Sequence, residues 1–241
     1  MKKIKCIAFD SGPLITLSLN NLLWLIPRLK EQYQGKFLIS NSVKKELIDH
    51  PLTKTRRYVL EALNILKLIT EGHINIASTS KTKRLYEKLD HLANKTFSSR
   101  DSFIEILHSG ELETVALAIT YECEAIVVDE RTTTLLIEEP GKVKERLERK
   151  LHRKIKMDRS RAEEFQELTK NIKVIRSAEL VTVAYELGLF REYFPNEMKE
   201  LDENFKEHLI TGLLWGVKLT GCAINENEIN KLKEVLSKIK L

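Results

Sequence analysis

The chain of 241 residues is poor in glycine and proline, with 9 and 5. That scarcity excludes an all-β fold, whose many tight turns draw on both residues. Cysteine is equally scarce. Cys6, Cys123 and Cys222 have no zinc-like spacing and cannot all pair, so they are expected to be reduced, mostly buried thiols of a cytoplasmic protein. No apolar run is long enough to span a bilayer. The longest, residues 14–26, is broken by Asn20 and Asn21. The lysines at 2, 3 and 5 lead into a strand that ends at an aspartate rather than into a signal peptide. A soluble protein with no membrane partner is expected.

Enough apolar residues are present, 42%, to bury a core and exclude wholesale disorder. The net charge of +5 is unevenly placed. Residues 142–161 hold ten Lys/Arg against three acids, a local +7 that leaves −2 for the remainder. A nearly neutral body with one basic segment points to a polyanionic partner, although a solvated helix in a lysine-rich protein would look the same.

Residues 4–9, 37–40, 74–77 and 125–129 are short apolar runs without polar alternation, as expected of parallel strands covered on both faces. Residues 173–175 form a weaker fifth. Helical stretches separate them, the pattern of an α/β sheet with helices on both sides. Ser11-Gly12-Pro13 opens a helix, and the periodic leucines after it suggest two helices broken near Pro27. Ser42 or Asn41 is expected to cap a helix carrying Glu46, and Pro51 to stop it. Helices are also expected at 56–70, 82–108, from Ser109-Gly110 onward, at 158–170, 178–187 and 197–219. Asn225 and Glu228 have the spacing of a capping box for a last helix. After Pro140-Gly141, Val143, Leu147, Leu151 and Ile155 recur every four residues, while Arg146, Arg149, Lys150 and Arg153 lie on other faces. We read residues 1–241 as one domain, with a basic helical arm inserted at about 141–170 and a helical C-terminal part at 177–241.

Four acidic residues stand where strands end or helices begin: Asp10, Glu46, Glu113 and Asp129. If the strands are parallel neighbours, these carboxylates can meet at one edge of the sheet, where open α/β folds bind ligands. Carboxylates gathered there repel one another unless a proton or a cation joins them. A hard divalent ion suits them, because Mg²⁺ prefers oxygen ligands and keeps positions open for water and phosphate.

The segments Ala8-Phe9-Asp10-Ser11, Ile39-Ser40-Asn41-Ser42-Val43-Lys44-Lys45-Glu46-Leu47, Gly110-Glu111-Leu112-Glu113-Thr114-Val115-Ala116-Leu117-Ala118 and Ala125-Ile126-Val127-Val128-Asp129-Glu130-Arg131, in that order, resemble the PIN-domain nucleases. The likeness is to the subgroup with a Gly-Glu-x-Glu helix start. It implies a three-layer α/β/α fold with a parallel sheet ordered 3-2-1-4-5, to which the chain's own pattern adds a helical insertion and C-terminal helices. It also implies Mg²⁺- or Mn²⁺-dependent endoribonuclease activity on RNA.

Carried over by position, Asp10 would ligate the metal directly and Asp129 directly or through water. Glu46 and Glu113 would complete the outer sphere, hold a second ion or orient the attacking water. Ser11 would help position a phosphate or water. Arg131 would grip a phosphate or pair with Glu130 or Glu139. Arg146, Arg149, Lys150 and Arg153 would engage the RNA backbone from a protruding helix. Glu111 is disfavoured as an equal partner of Glu113, because residues two apart on a helix face different ways. The family often forms homodimers, and some members have neutralising protein partners. The small toxins of the family lack so long an insertion.

The competing reading is a non-catalytic RNA-binding or scaffold protein that keeps the fold. A haloacid-dehalogenase-like phosphatase is excluded by Gly12, which stands where that chemistry needs a second aspartate. No glycine-rich phosphate loop follows the first strand.

Overall fold

The computed structural model describes residues 5–100, 102–193 and 204–239. The strands β1 (Cys6–Phe9), β2 (Lys36–Ile39), β3 (Asn75–Ile76), β6 (Ala125–Val127) and β8 (Lys173–Ile175) form one parallel sheet ordered β3-β2-β1-β6-β8. This is the expected 3-2-1-4-5 order of the parallel strands. The sheet is buried on both sides, so adjacent residues of one strand feed different cores. Ile7, Phe9, Phe37, Ile39 and Val127 join one cluster, while Ala8, Leu38, Ile126 and Val128 join the other. Each fully buried Phe, Ile or Leu here contributes roughly 1.5–3 kcal/mol relative to exposure.

On the first face lie α1 (Ser11–Leu19), α2 (Leu25–Tyr33) and α5 (Val59–Thr70), with α11 (Ser177–Glu186), α12 (Leu189–Tyr193), α13 (Phe205–Thr220) and α14 (Glu226–Ser237). On the second lie α6 (Ser80–Asn94), α7 (Ser109–Tyr121), α8 (Arg131–Glu138), α9 (Pro140–Leu151) and α10 (Arg159–Thr169). The three layers follow directly. The capping box at α14 forms as expected, with Asn225 Oδ1 accepting from Glu228 N–H at 2.9 Å. The first part of the helix expected at 197–219 lies outside the described residues.

Several local expectations are corrected. The cap of α3 (Asn41–Lys44) is Ser40, whose hydroxyl accepts from Val43 N–H at 3.2 Å, not Ser42 or Asn41. Pro51 does not stop the helix. The chain widens into a π-helical turn at Lys45–Asp49, where His50 N–H bonds to Lys45 O, and continues as α4 (His50–Thr53) with Pro51 near its start. A wider turn accommodates the ring and missing N–H that would break a regular helix. The long helix expected at 82–108 ends at Asn94 and gives way to β4 (Phe97–Ser99) and β5 (Ser102–Phe103).

The basic segment is not a protruding arm. After α9 the chain forms β7 (Lys156–Met157), which pairs antiparallel with β4. Val143 and Ile155 are buried in the second core, and α10 packs on α6. The helix also stops earlier than its four-residue period suggests. It ends at Leu151, His152 is left-handed, and Arg153 sits in the bend beyond.

Candidate active site

The carboxyl ends of β2, β1 and β6 stand side by side, and each is followed by an acidic element. Asp10 N–H extends the ladder by bonding to Val127 O at 2.9 Å, which fixes Asp10 beside β6. Its side chain is buried and Oδ1 has no hydrogen-bond partner. Burial, first, and the negative charges of Glu111 and Glu46 together raise the pKa of this carboxyl to about 7, with the N–H groups of Ser11 and Gly12 partly offsetting them. Ser11 is buried at the start of α1.

Two glycines leave this carboxylate exposed to its neighbours. A methyl group built on Gly110 would lie 3.6 Å from Asp10 Oδ1 and 3.4 Å from Glu46 Oε2, so both oxygens face the space a side chain would fill. One built on Gly12 would lie 3.7 Å from Asp10 Oδ2 and 3.7 Å from Asp129 Cβ. Asp10 is therefore flanked by Glu46 on one side and Asp129 on the other. Glu46 rides on the π turn, exposed at the lip of an open groove of about 720 Å³ that Ser42, Lys45, Lys54 and Gly110 also line.

The other two carboxylates are held by helix N-termini. Asp129 Oδ1 accepts from Ser177 N–H at 2.7 Å and Oδ2 from Ser177 Oγ–H at 2.9 Å. Its carbonyl accepts from Ala223 N–H at 3.0 Å, so the C-terminal helices anchor it twice. Glu113 Oε2 accepts from Ser42 N–H at 2.8 Å, at the start of α3. The four expected ligands thus surround the sheet edge but do not close into a ring. Among the described residues no three His, Cys, Asp or Glu side chains stand as a metal-holding group.

Glu111 is the residue that sequence reasoning set aside. It is buried, accepts from His108 N–H at 2.7 Å, and has its pKa raised by burial. Its charge bears on Asp10 more strongly than that of Glu46. The signal was present in its position three residues after His108, the spacing of a carboxylate that turns back to the start of its own helix.

The donor set nonetheless suits a hard cation. An orphaned buried carboxylate oxygen faces a second carboxylate oxygen across an open space. Mg²⁺ commonly takes only one or two protein carboxylates, with water and phosphate completing its shell.

A family model described as a PIN domain matches residues 6–136. The chain belongs to the PIN-domain family. The matched segment runs from β1 through most of α8 and contains Asp10, Glu46, Glu113 and Asp129. No curated protein matches the chain. The PIN domain is a nuclease fold, and its three-layer architecture with a parallel sheet is the one described above. The matched segment ends before α9, so the whole basic segment and Ser177 lie outside it. Among the described residues no helix is long and apolar enough to cross a membrane.

Proposed function

We propose that this PIN domain is a divalent-metal-dependent endoribonuclease that hydrolyses RNA phosphodiester bonds at the edge of the parallel sheet. One observation carries the reading: Asp10 Oδ1 is buried, unpartnered and faces Glu46 Oε2 across Gly110. Leaving a buried carboxylate oxygen without a donor costs free energy, and a bound cation removes that cost.

Asp10 and Glu46 would hold Mg²⁺ or Mn²⁺. When bound, the ion supplies Lewis acidity, making water nucleophilic near neutral pH and countering charge on the phosphate. Glu111 adds negative potential behind Asp10 and so strengthens cation capture. Ser177 fixes Asp129 on the far side of Asp10, where its carboxylate can orient water by an outer-sphere contact. Glu113 holds the start of α3 and thereby the turn bearing Glu46. Ser11, beside Asp10, and Arg131, two residues beyond Asp129, would meet the substrate phosphate.

The test is cleavage of end-labelled single-stranded RNA by purified protein. Cleavage should require Mn²⁺ or Mg²⁺, vanish in chelator, return on metal addition, and fall at least about a hundredfold in Asp129→Asn. Metal-independent cleavage would overturn the reading.

One observation favours the non-catalytic alternative: Asp129 and Glu113 already spend their carboxylates on helix N-termini. A binding protein of this kind would hold RNA equally well in chelator, with no cleavage under any metal.

A further inference from the structure

A second groove, of about 630 Å³, lies between α8 and α9. Its charged lining is Arg131, Lys142, Arg146, Arg149 and Lys150, with Glu145 as the single acid. Lys142 is paired with Glu139 at 2.7 Å. By contrast, no carboxylate among the described residues makes an ion pair with Arg146, Arg149 or Lys150, while Arg131 also bears on Glu228. On a half-buried side of the same helix Lys144 reaches Glu148 at 3.7 Å. On α9, the cations with no carboxylate partner, Arg146, Arg149 and Lys150, thus all line the groove. Arg146 follows Lys142 by four residues, and the adjacent Arg149 and Lys150 follow Arg146 by three and four, so all four border one side of α9. At 1.5 Å per residue they span about 12 Å, room for a short run of backbone phosphates.

The sheet order says where this groove leads. Glu46 follows β2, Asp10 follows β1, and Arg131 follows β6, strands that are adjacent in that order. The groove lined by Lys45, Glu46 and Lys54 and the groove beginning at Arg131 therefore flank Asp10 from opposite sides along one edge. Between them stand the carboxylates of Asp10 and Asp129, whose negative charge repels a polyanion.

We propose that the α8–α9 groove is a phosphate-binding track that holds single-stranded RNA by its backbone, beside the scissile bond rather than at it. Arg131 is the junction between track and site. The inference rests on the nuclease reading for its direction toward Asp10, but it makes a claim about binding that stands or falls separately. Recognition is by charge, so it is salt-dependent and indifferent to base sequence.

The experiment measures fluorescence anisotropy of a labelled single-stranded RNA oligonucleotide with full-length protein in chelator, where no cleavage occurs. Arg146→Glu/Arg149→Glu is compared with Lys81→Glu/Lys83→Glu, an equal charge change on exposed positions of α6. The groove variant should bind roughly tenfold or more weakly, and the control within about twofold of wild type. Its slope of log affinity against log salt should fall by about 1.4, for two lost phosphate contacts. Arg146→Gln/Arg149→Gln, which removes charge without adding repulsion, should show the same slope change at an unaltered melting temperature. Equal weakening by groove and control variants overturns the track, as does polyglutamate competing as well as RNA. Loss of groove-dependent binding with metal-dependent cleavage intact sinks this inference alone. Groove-dependent binding without any cleavage sinks the nuclease reading alone.

Discussion

Ser177 holds Asp129 by both of its donors, the backbone N–H at 2.7 Å and the hydroxyl at 2.9 Å. The two residues are 48 apart in sequence and buried. A strand-end aspartate is thus the N-terminal acceptor of a helix outside the matched PIN segment. The catalytic edge and the C-terminal helices are one structural unit.

Ser177→Ala removes the hydroxyl that donates to Asp129 Oδ2 in a buried place. We expect a loss of about 1–3 kcal/mol in stability, read by urea denaturation. The cleavage rate should fall while RNA affinity stays unchanged. Ser177→Thr, which keeps the hydroxyl, should restore most of both. If Ala matched wild type in rate, Asp129 would not need its anchor.

Asp10 makes the metal-free protein sensitive to pH. Its folded pKa of about 7 exceeds the ordinary 3.8, so between these values the folded state binds more protons than the unfolded one. Stability is then full below about pH 4 and is lost as pH rises to about 7, by on the order of 3–4 kcal/mol as an upper bound. Asp10→Asn should flatten that slope and raise the melting temperature in chelator at pH 8. Added Mn²⁺ should stabilise wild type more at pH 8 than at pH 5, since ion and proton compete for one site. A pH-independent difference between wild type and variant would contradict the burial account.

Gly110 separates stability from function. Alanine there would add a methyl 3.4 Å from Glu46 Oε2 and 3.6 Å from Asp10 Oδ1, ordinary contacts without a clash. It lies in the first turn of α7, where alanine favours the helix by up to about 0.5–1 kcal/mol. We expect Gly110→Ala to melt at the same temperature or higher, yet to lose cleavage and Mn²⁺ affinity because a methyl occupies the cation's space. Full activity in a folded Gly110→Ala protein would place the ion elsewhere.

The basic segment is part of the fold. Ile155 is 3% exposed and belongs to the second core. Ile155→Ala should therefore cost about 2–5 kcal/mol, whereas a solvated arm would tolerate it. Denaturant unfolding distinguishes the two.

The parallel strands were legible because burial on both faces leaves unbroken apolar runs such as Cys6–Phe9. The four acidic positions were legible from their place at strand ends and helix starts, and strand order came through the family resemblance. What escaped was non-local. The strand at Phe97–Ser99 is fixed by pairing with Lys156–Met157 far along the chain, which local periodicity cannot register, so a helix was extended through it. The four-residue apolar period of α9 ran on to Ile155, but the helix ends at Leu151 and Ile155 reaches the same core from a turn. Ser177 lies in Ile175-Arg176-Ser177-Ala178-Glu179-Leu180, which resembles the C-terminal part of the subgroup, but a serine opening a helix reads as its cap and not as the anchor of a distant aspartate. The π turn bearing Glu46 was likewise hidden, since Pro51 looked like a stop.

The most direct test of the central claim is the cleavage rate of Asp10→Asn with saturating RNA in Mn²⁺, alongside wild type from the same preparation. The account predicts a folded protein that still binds RNA in chelator, has lost its Mn²⁺-induced stabilisation, and cleaves at least about a thousandfold more slowly. An Asp10→Asn protein that cleaves at the wild-type rate would contradict it.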